Sequence, residues 1–125
     1  MEDLFKAFSD KNRLRLFWVL LQGEYCVCEL EVFLRMNQST VSFHLQRLRS
    51  EEILKASKSA QWVHYTVDPK FIHENQRLVE FMQEKLASDG ECMEDLKRVE
   101  RYTTQGLNCK IIADDRERVV DALRG

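Results

Sequence analysis

The stretch Asn37-Gln38-Ser39-Thr40-Val41-Ser42-Phe43-His44-Leu45-Gln46-Arg47-Leu48 decides how this 125-residue chain is interpreted. Val41, Leu45 and Leu48 recur at helical spacing and predict the buried stripe of a helix from about Ser39 to Ser50. The outer face combines hydroxyl, amide and cationic groups with one aromatic ring: Ser39, Thr40, Ser42, Phe43, Gln46 and Arg47. Hydroxyl groups at a helix N-terminus can bind phosphates and base edges, and a phenyl ring can contact a thymine methyl group. This face is therefore typical of a helix that reads DNA.

Two further helices are predicted before this stretch. The first 22 residues show helical periodicity, with Asp10 as a plausible N-cap. A short helix follows over roughly residues 26–35, and Met36-Asn37-Gln38 forms a tight connection to the next one. This arrangement predicts a helix-turn-helix.

Two strands are predicted after the helix-turn-helix. Ile53-Leu54-Lys55-Ala56 and Trp62-Val63-His64-Tyr65-Thr66-Val67 flank a polar link, and the second segment alternates with a period of two. The link lacks an Asn-Gly type of turn, so we expect a hairpin with a longer, mobile tip. Lys55 and Lys58 would neutralise phosphates beside the duplex.

The remaining sequence predicts helices and a dimer interface. Asp68-Pro69 is an N-cap followed by proline at the first helical position, and it opens a predicted long helix. An apolar stripe on this helix would be exposed on a monomer, so we expect it to meet a symmetry mate together with N-terminal apolar residues. The residues expected at this interface are Phe71, Leu78, Met82, Leu86, Leu4, Phe5 and Phe8. Gly90 and Gly106 separate two more predicted helices, at about 91–105 and 115–124.

The predicted fold class is mainly α with a small β-hairpin, a winged helix-turn-helix that is dimeric. Residues 1–90 are expected to form the DNA-binding and dimerisation domain, and residues 91–125 a C-terminal helical extension. The net charge is −2, but residues 35–70 carry six basic and three acidic groups, which suits DNA contact through one segment. No apolar run is long enough for a membrane span and the N-terminus lacks a basic signal region, so we expect a cytoplasmic protein with no membrane partner.

Four cysteines are expected to be thiols in that compartment. Cys26-Val27-Cys28 falls at the start of the second predicted helix, and soft thiolates bind soft, thiophilic ions. Residues two apart on a regular helix point in nearly opposite directions, so one ion could hold both sulfurs only if that turn were distorted. Chelation would then unwind the first turn and displace the recognition helix. Glu29 and Glu31 are expected to be solvated.

Four stretches resemble the ArsR/SmtB group of metal-sensing repressors. They are Phe8-Ser9-Asp10-Lys11-Asn12-Arg13-Leu14-Arg15-Leu16, Glu24-Tyr25-Cys26-Val27-Cys28-Glu29-Leu30, Gln38-Ser39-Thr40-Val41-Ser42-Phe43-His44-Leu45 and Trp62-Val63-His64-Tyr65. The resemblance covers about residues 2–68 and implies a homodimer that leaves a palindromic operator when its inducer binds. Phe43 stands where relatives commonly have a polar residue, Glu31 stands where some relatives have a third cysteine, and the segment after about residue 90 matches no motif.

The resulting hypothesis is a DNA-binding transcriptional repressor, not an enzyme, released from double-stranded operator DNA by arsenite or antimonite or by another soft metal ion. Cys26 and Cys28 are the predicted ligands, and Cys92, Cys109, a small thiol or water are candidates for a third. The predicted DNA-binding residues are Gln38, Ser39, Thr40, Ser42, Phe43, His44, Gln46, Arg47, Lys55 and Lys58.

Several alternatives stay open at this point. Within the repressor class, Cys26 and Cys28 could form a thiol redox switch, although a disulfide across one residue is strained. A cadmium or lead sensor has the same fold. A zinc sensor is disfavoured because the long helix offers His73 and Glu74 but no second histidine. A redox enzyme would need Cys-x-x-Cys spacing and flanking strands, and a pure interaction module would not explain the basic middle segment.

Overall fold

A computed structural model describes residues 1–124. The elements of this range are, in chain order, α1 (Glu2–Ala7), α2 (Lys11–Leu20), β1 (Tyr25–Cys26), α3 (Val27–Leu34), α4 (Gln38–Ser50), β2 (Leu54–Ser59), β3 (Trp62–Val67), α5 (Pro69–Glu74), α6 (Gln76–Ala87), α7 (Gly90–Thr104), α8 (Cys109–Asp114) and α9 (Arg116–Ala122). Helices α3 and α4 form the helix-turn-helix, and β2 and β3 form the wing. The predicted mainly helical winged fold is confirmed.

Side-chain caps fix where helices α2 and α4 begin. The carboxylate of Asp10 accepts hydrogen bonds from two backbone N–H groups in the first turn of α2, which confirms the predicted N-cap. Asn37 caps α4 in the same way, accepting from the N–H of Thr40 at 2.8 Å. Helix α3 ends at Arg35, whose φ of 54° is left-handed, so the chain turns at residues 35–37 into α4.

The wing differs from its prediction at the tip. Ser59 pairs with Trp62, so only Ala60 and Gln61 connect the two strands. Ala60 has a φ of 56°, a left-handed conformation that two-residue hairpin turns use. The expectation of a longer tip was wrong because the turn closes around an alanine rather than the usual glycine or asparagine.

A short strand that was not predicted completes the sheet. β1 pairs antiparallel with β3, giving the strand order β1-β3-β2. Tyr25 lies opposite Tyr65, and Cys26 lies opposite His64. The wing is thereby joined to the start of α3.

The helix predicted after Asp68-Pro69 is divided in two. The carboxylate of Asp68 caps α5 and Pro69 occupies its first turn, as expected. Asn75 then leaves helical geometry, with φ −131° and ψ 38°, and ends α5 before α6 begins. The two helices therefore present separate faces rather than one continuous stripe.

The stripe expected at a dimer interface faces inward. Phe71, Met82 and Leu86 are buried within one chain, and Leu78 is partly buried. The ring of Phe71 packs near that of Phe17 on α2, and α7 packs against α6. The expectation was wrong because it did not include the cover that α2 and α7 provide.

The C-terminal helices belong to the same hydrophobic core as the winged unit. Helix α7 corresponds to the helix predicted at 91–105 and α9 to the one at 115–124, whereas α8 was not predicted. Their buried residues are continuous with those of α2 and α3: Cys92, Val99, Tyr102, Ile112, Val119 and Leu123. Within residues 1–124, no helix combines the length and apolar character needed to cross a bilayer.

A buried ionic group joins α7 to the end of α3. Asp95 is fully buried and accepts hydrogen bonds from Arg15 at 2.8 Å and from Arg98 at 2.6 Å. Arg15 also donates to the carbonyl of Leu34, and Arg98 donates to the carbonyl of Phe33. The two arginines thus satisfy the carbonyls that α3 leaves free at its C-terminus.

Candidate functional site

Two of the cysteines meet at the N-terminus of α3. Cys26 is the N-cap and has extended backbone geometry, with φ −89° and ψ 170°. Cys28 is the second residue of the helix, and the two Sγ atoms lie 3.1 Å apart. The expectation that they point in opposite directions was wrong, because Cys26 lies outside the helix. One ion can therefore meet both sulfurs without unwinding α3.

A third thiol reaches this pair from the other end of the chain. Cys109 is the first residue of α8, and its Sγ lies 2.7 Å from that of Cys26. The three sulfurs lie within 4.8 Å of one another. Cys26 and Cys109 are buried, and Cys28 is partly exposed. Cys92 faces the core from α7 and is not one of this group, so the structure separates the two candidates for a third ligand.

Glu29 holds the cysteine group in place. One carboxylate oxygen accepts a hydrogen bond from the backbone N–H of Cys26 at 3.0 Å, and the other accepts one from the hydroxyl of Tyr102 on α7. Glu31 binds Arg116 on α9 at 2.8 Å. Both glutamates are buried, so the expectation that they are solvated was wrong. A hydrogen bond of Glu29 therefore connects α3 to α7, and an ion pair of Glu31 connects it to α9.

The surroundings of Cys26 and Cys109 raise the pKa of each thiol and so favour its protonated form. The hydrogen bond that Cys26 shares with Cys28 raises the pKa of Cys26, and burial raises it further. Burial is the main cause that raises the pKa of Cys109. Thiolates are the metal-binding form, so an ion that binds here must displace protons.

A second set of candidate ligands overlaps the cysteine group. The ligand atoms of Glu29, His64 and Cys109 lie within 4.8 Å of one another. His64 is partly buried on β3, opposite Cys26 in the sheet. The sequence did not indicate that Tyr102 lies near this site. His64 was interpreted from the sequence as a structural histidine within the predicted strand.

The side chains predicted to meet DNA lie on α4 and the wing. All ten are exposed except Thr40, which is partly buried, and His44, which is buried. Phe43 is 59% exposed at the outer surface of α4. Lys55 and Lys58 both lie on β2 and are exposed.

His44 is buried beneath the surface predicted to contact DNA, so the prediction that it binds DNA directly was wrong. Its Nδ1 lies 3.1 Å from a guanidinium nitrogen of Arg13, which also donates to the carbonyl of Ala7. Burial is the main cause that lowers the pKa of His44. A neutral imidazole can accept at Nδ1, so His44 links α4 to α2 and helps to orient the exposed residues beside it.

Comparisons with known proteins identify the family to which this chain is similar. A family model described as "Bacterial regulatory protein, arsR family" matches residues 10–56. The chain is 40% identical over 76 residues to the arsenic resistance transcriptional regulator ArsR2 of Pseudomonas putida, covering 58% of this chain and 66% of that protein. It is 33% identical over 88 residues to a cadmium resistance transcriptional regulatory protein CadC homolog of Staphylococcus aureus, covering 70% of this chain and 73% of that one.

A solved structure shares the fold. It is the homodimeric winged helix-turn-helix DNA-binding domain of a possible ArsR-family transcriptional regulator from Mycobacterium bovis, with a TM-score of 0.59 and 25% identity. The similarity covers 67% of this chain and 78% of that one. The related structure is thus a winged helix-turn-helix, the same fold as this chain.

Proposed function

The chain belongs to the arsR family of bacterial regulatory proteins, and on that premise we propose that it is a homodimeric transcriptional repressor released from operator DNA by trivalent arsenic or antimony. The proposal rests on the close approach of the Sγ atoms of Cys26, Cys28 and Cys109. Soft thiolates select thiophilic ions, and trivalent arsenic prefers three sulfur ligands. Glu31 occupies the position where some relatives have a third cysteine, and Cys109 supplies a sulfur from elsewhere in the chain.

The DNA contacts are assigned to the exposed face of α4 and to β2. Ser39 and Ser42 offer hydroxyl groups near the N-terminus of α4, where the helix dipole favours phosphate. Gln46 and Arg47 extend farther and can reach base edges or the backbone. Lys58 near the wing tip would neutralise a phosphate.

A homodimer would present two such surfaces to a palindromic site. The related domain from Mycobacterium bovis is homodimeric. Phe5 on α1 and Phe81 on α6 are 55% and 57% exposed, respectively, and are candidates for burial against a second copy. Two α4 helices would then enter major grooves about one helical turn apart.

The route from the cysteine group to DNA runs along α3. Its first turn contains Cys28 and is capped by Cys26, whereas its last turn leads through Arg35 directly into α4. An ion between the sulfurs would separate atoms that are now in contact and would move α3 relative to α8. Emptying the operator requires the ion to favour the released state by several kcal/mol, about 5.5 kcal/mol for a nearly complete shift.

Mobility-shift titration of DNA from the protein's own promoter tests the inducer. Arsenite and antimonite should release the wild-type protein, and Cys26→Ser, Cys28→Ser and Cys109→Ser should each bind DNA normally but resist release. Cys92→Ser is the matched control and should respond like the wild type. Normal release of any of the first three variants at the wild-type arsenite concentration would contradict the proposed ligand set.

The DNA surface is tested by the salt dependence of binding. Arg47→Ala should weaken binding to the operator, and Lys58→Ala should weaken specific and non-specific DNA alike. Removing one phosphate contact should make the slope of log K against log salt shallower by about one unit. Lys110→Ala, at an exposed position of α8, should leave the slope unchanged. An unchanged slope for Lys58→Ala would show that the wing does not touch phosphate.

One contact also supports a thiol redox switch as a second candidate. The Sγ atoms of Cys26 and Cys109 are close and lie 83 residues apart in sequence, which avoids the strain of a bridge between Cys26 and Cys28. Peroxide would oxidise the two thiols to one disulfide and be reduced to water. Cys28→Ser separates the candidates, because release by peroxide would survive in this variant and release by arsenite would not.

A further inference from the structure

We propose that His64 is a fourth ligand that lets the cysteine group also hold a divalent ion of the zinc and cadmium class, as a Cys3His site that includes the wing. This inference rests on the proposed function, because it uses the same three sulfurs. It adds a ligand from β3 and divides the inducers into two chemical classes according to whether they need that ligand.

The sheet register places His64 beside the sulfurs. His64 on β3 is the direct cross-strand partner of Cys26 on β1. Directly opposed residues of an antiparallel pair project from the same face, with Cβ atoms about 4.5–5.5 Å apart. The backbone ladder therefore fixes the imidazole next to the site.

Cys109 connects His64 to the other two sulfurs. A ligand nitrogen of His64 lies within 4.8 Å of the Sγ of Cys109, which is itself within 4.8 Å of the Sγ atoms of Cys26 and Cys28. Bond lengths of about 2.3 Å for Zn–S and 2.0 Å for Zn–N put tetrahedral ligand atoms about 3.5–3.8 Å apart. His64 shares its group with Cys109 and Glu29 and not with Cys26 and Cys28, so a four-ligand site requires its ring to move toward those two sulfurs.

Glu29 is the competing oxygen ligand in this cluster, and its bonds make it the weaker candidate. Its carboxylate already accepts from the backbone of Cys26 and from the hydroxyl of Tyr102. Ligating an ion would break these bonds and remove the N-terminal support of α3. The imidazole can be recruited without this loss, and three thiolates with one imidazole form a common tetrahedral zinc set.

The two classes of inducer would use the site differently. Trivalent arsenic is satisfied by three sulfurs, so His64 has no part in binding it. A divalent ion needs a fourth donor and would draw β3 toward α3 and α8. Because Lys58 on β2 pairs with Val63 next to His64, this movement would reach the phosphate-binding strand of the wing.

The test compares His64→Gln with His73→Gln, a matched exposed histidine on α5. Reduced full-length protein is titrated with Co²⁺ and Cd²⁺, and thiolate-to-metal charge transfer and the visible bands of tetrahedral Co²⁺ are followed. His64→Gln should weaken both ions by about tenfold or more and reduce the tetrahedral bands. His73→Gln should match the wild type, and arsenite should release DNA from both variants at the wild-type concentration.

The possible outcomes distinguish a failure of this inference from a failure of the proposed function. If Cys109→Ser weakens Co²⁺ and Cd²⁺ but His64→Gln does not, His64 is not a ligand and the inference is overturned, while the three-sulfur site stands. If His64→Gln also loses its arsenite response, its effect is general and the inference is again overturned. If wild-type protein shows neither charge transfer nor arsenite-induced release, the proposed function fails and takes the inference with it.

Discussion

The helix-turn-helix can be recognised from its sequence, whereas the C-terminal helices α7–α9 lie outside the family match. The family model matches residues 10–56, which include α2, α3 and α4, whereas it does not extend to α7–α9. Yet α7 and α9 contact α3 through the pairs Tyr102–Glu29 and Arg116–Glu31, and α8 contacts the N-cap of α3 through Cys109 and Cys26. The segment that the family model matches carries the proposed DNA surface, and the C-terminal helices supply one sulfur and supporting contacts to the candidate inducer site.

Because of this division, substitutions in the C-terminal helices can alter the inducer site without altering the residues proposed to contact DNA. A C-terminal segment that contributes one sulfur could alter which ion is bound without altering the exposed face of α4. The comparison depends on α7–α9 being an integral part of the folded core. The three experiments below test that dependence in order of decreasing expected effect.

The largest loss of stability is expected from Asp95→Ala. The substitution would leave Arg15 and Arg98 buried beside the end of α3 without their carboxylate. Removing one partner of a buried ion pair typically costs about 3–5 kcal/mol, which urea unfolding followed by tryptophan fluorescence would measure. Asp114→Ala, at an exposed position of α8, is the control and should change stability little. A near-neutral result for Asp95→Ala would show that α7 is not held in this way.

Paired leucine substitutions compare the two halves directly. Leu30 on α3 and Leu123 after α9 are 0% and 1% exposed, respectively. If both lie in one core, Leu30→Ala and Leu123→Ala should each lower the free energy of unfolding by about 2–5 kcal/mol, in a single transition for each variant. A cost near zero for Leu123→Ala, or a separate early transition, would show that α9 is only loosely attached.

A smaller effect is expected from Tyr102→Phe. The variant keeps the ring that packs edge-on against Phe33 but removes the hydroxyl that donates to Glu29. Leaving a buried acceptor with one fewer donor should cost about 1–3 kcal/mol in the free energy of unfolding. Tyr65→Phe, on β3, is the control for removing a tyrosine hydroxyl. Equal stability of Tyr102→Phe and wild type would mean that this bond does not support α3.

The sequence predicted what local rules determine. Asp10 and Asp68 cap helices because their carboxylates accept hydrogen bonds from backbone N–H groups in the first turn. Alternation in residues 62–67 identifies a strand, whichever strand it pairs with. The exposed face of α4 followed from helical spacing in the same way. These features depend on neighbours within a few residues.

The remaining features depend on distant residues. Nothing local to Cys109 indicates that it meets Cys26, and β1 is too short to show a periodic pattern. The orientation of Cys26 depended on whether α3 begins before or after it, a difference of one residue. The apolar stripe of α5 and α6 was interpreted as a dimer surface because the cover supplied by α7 was not considered.

Arsenic K-edge X-ray absorption of the arsenite-loaded protein tests the central claim, that a cysteine from the C-terminal half completes the inducer site. We expect three As–S interactions in the wild type and in Cys92→Ser. Cys109→Ser should show two As–S interactions and one to oxygen, because serine or water is left in the third position. Three sulfurs around arsenic in Cys109→Ser, measured without added thiol, would contradict the account.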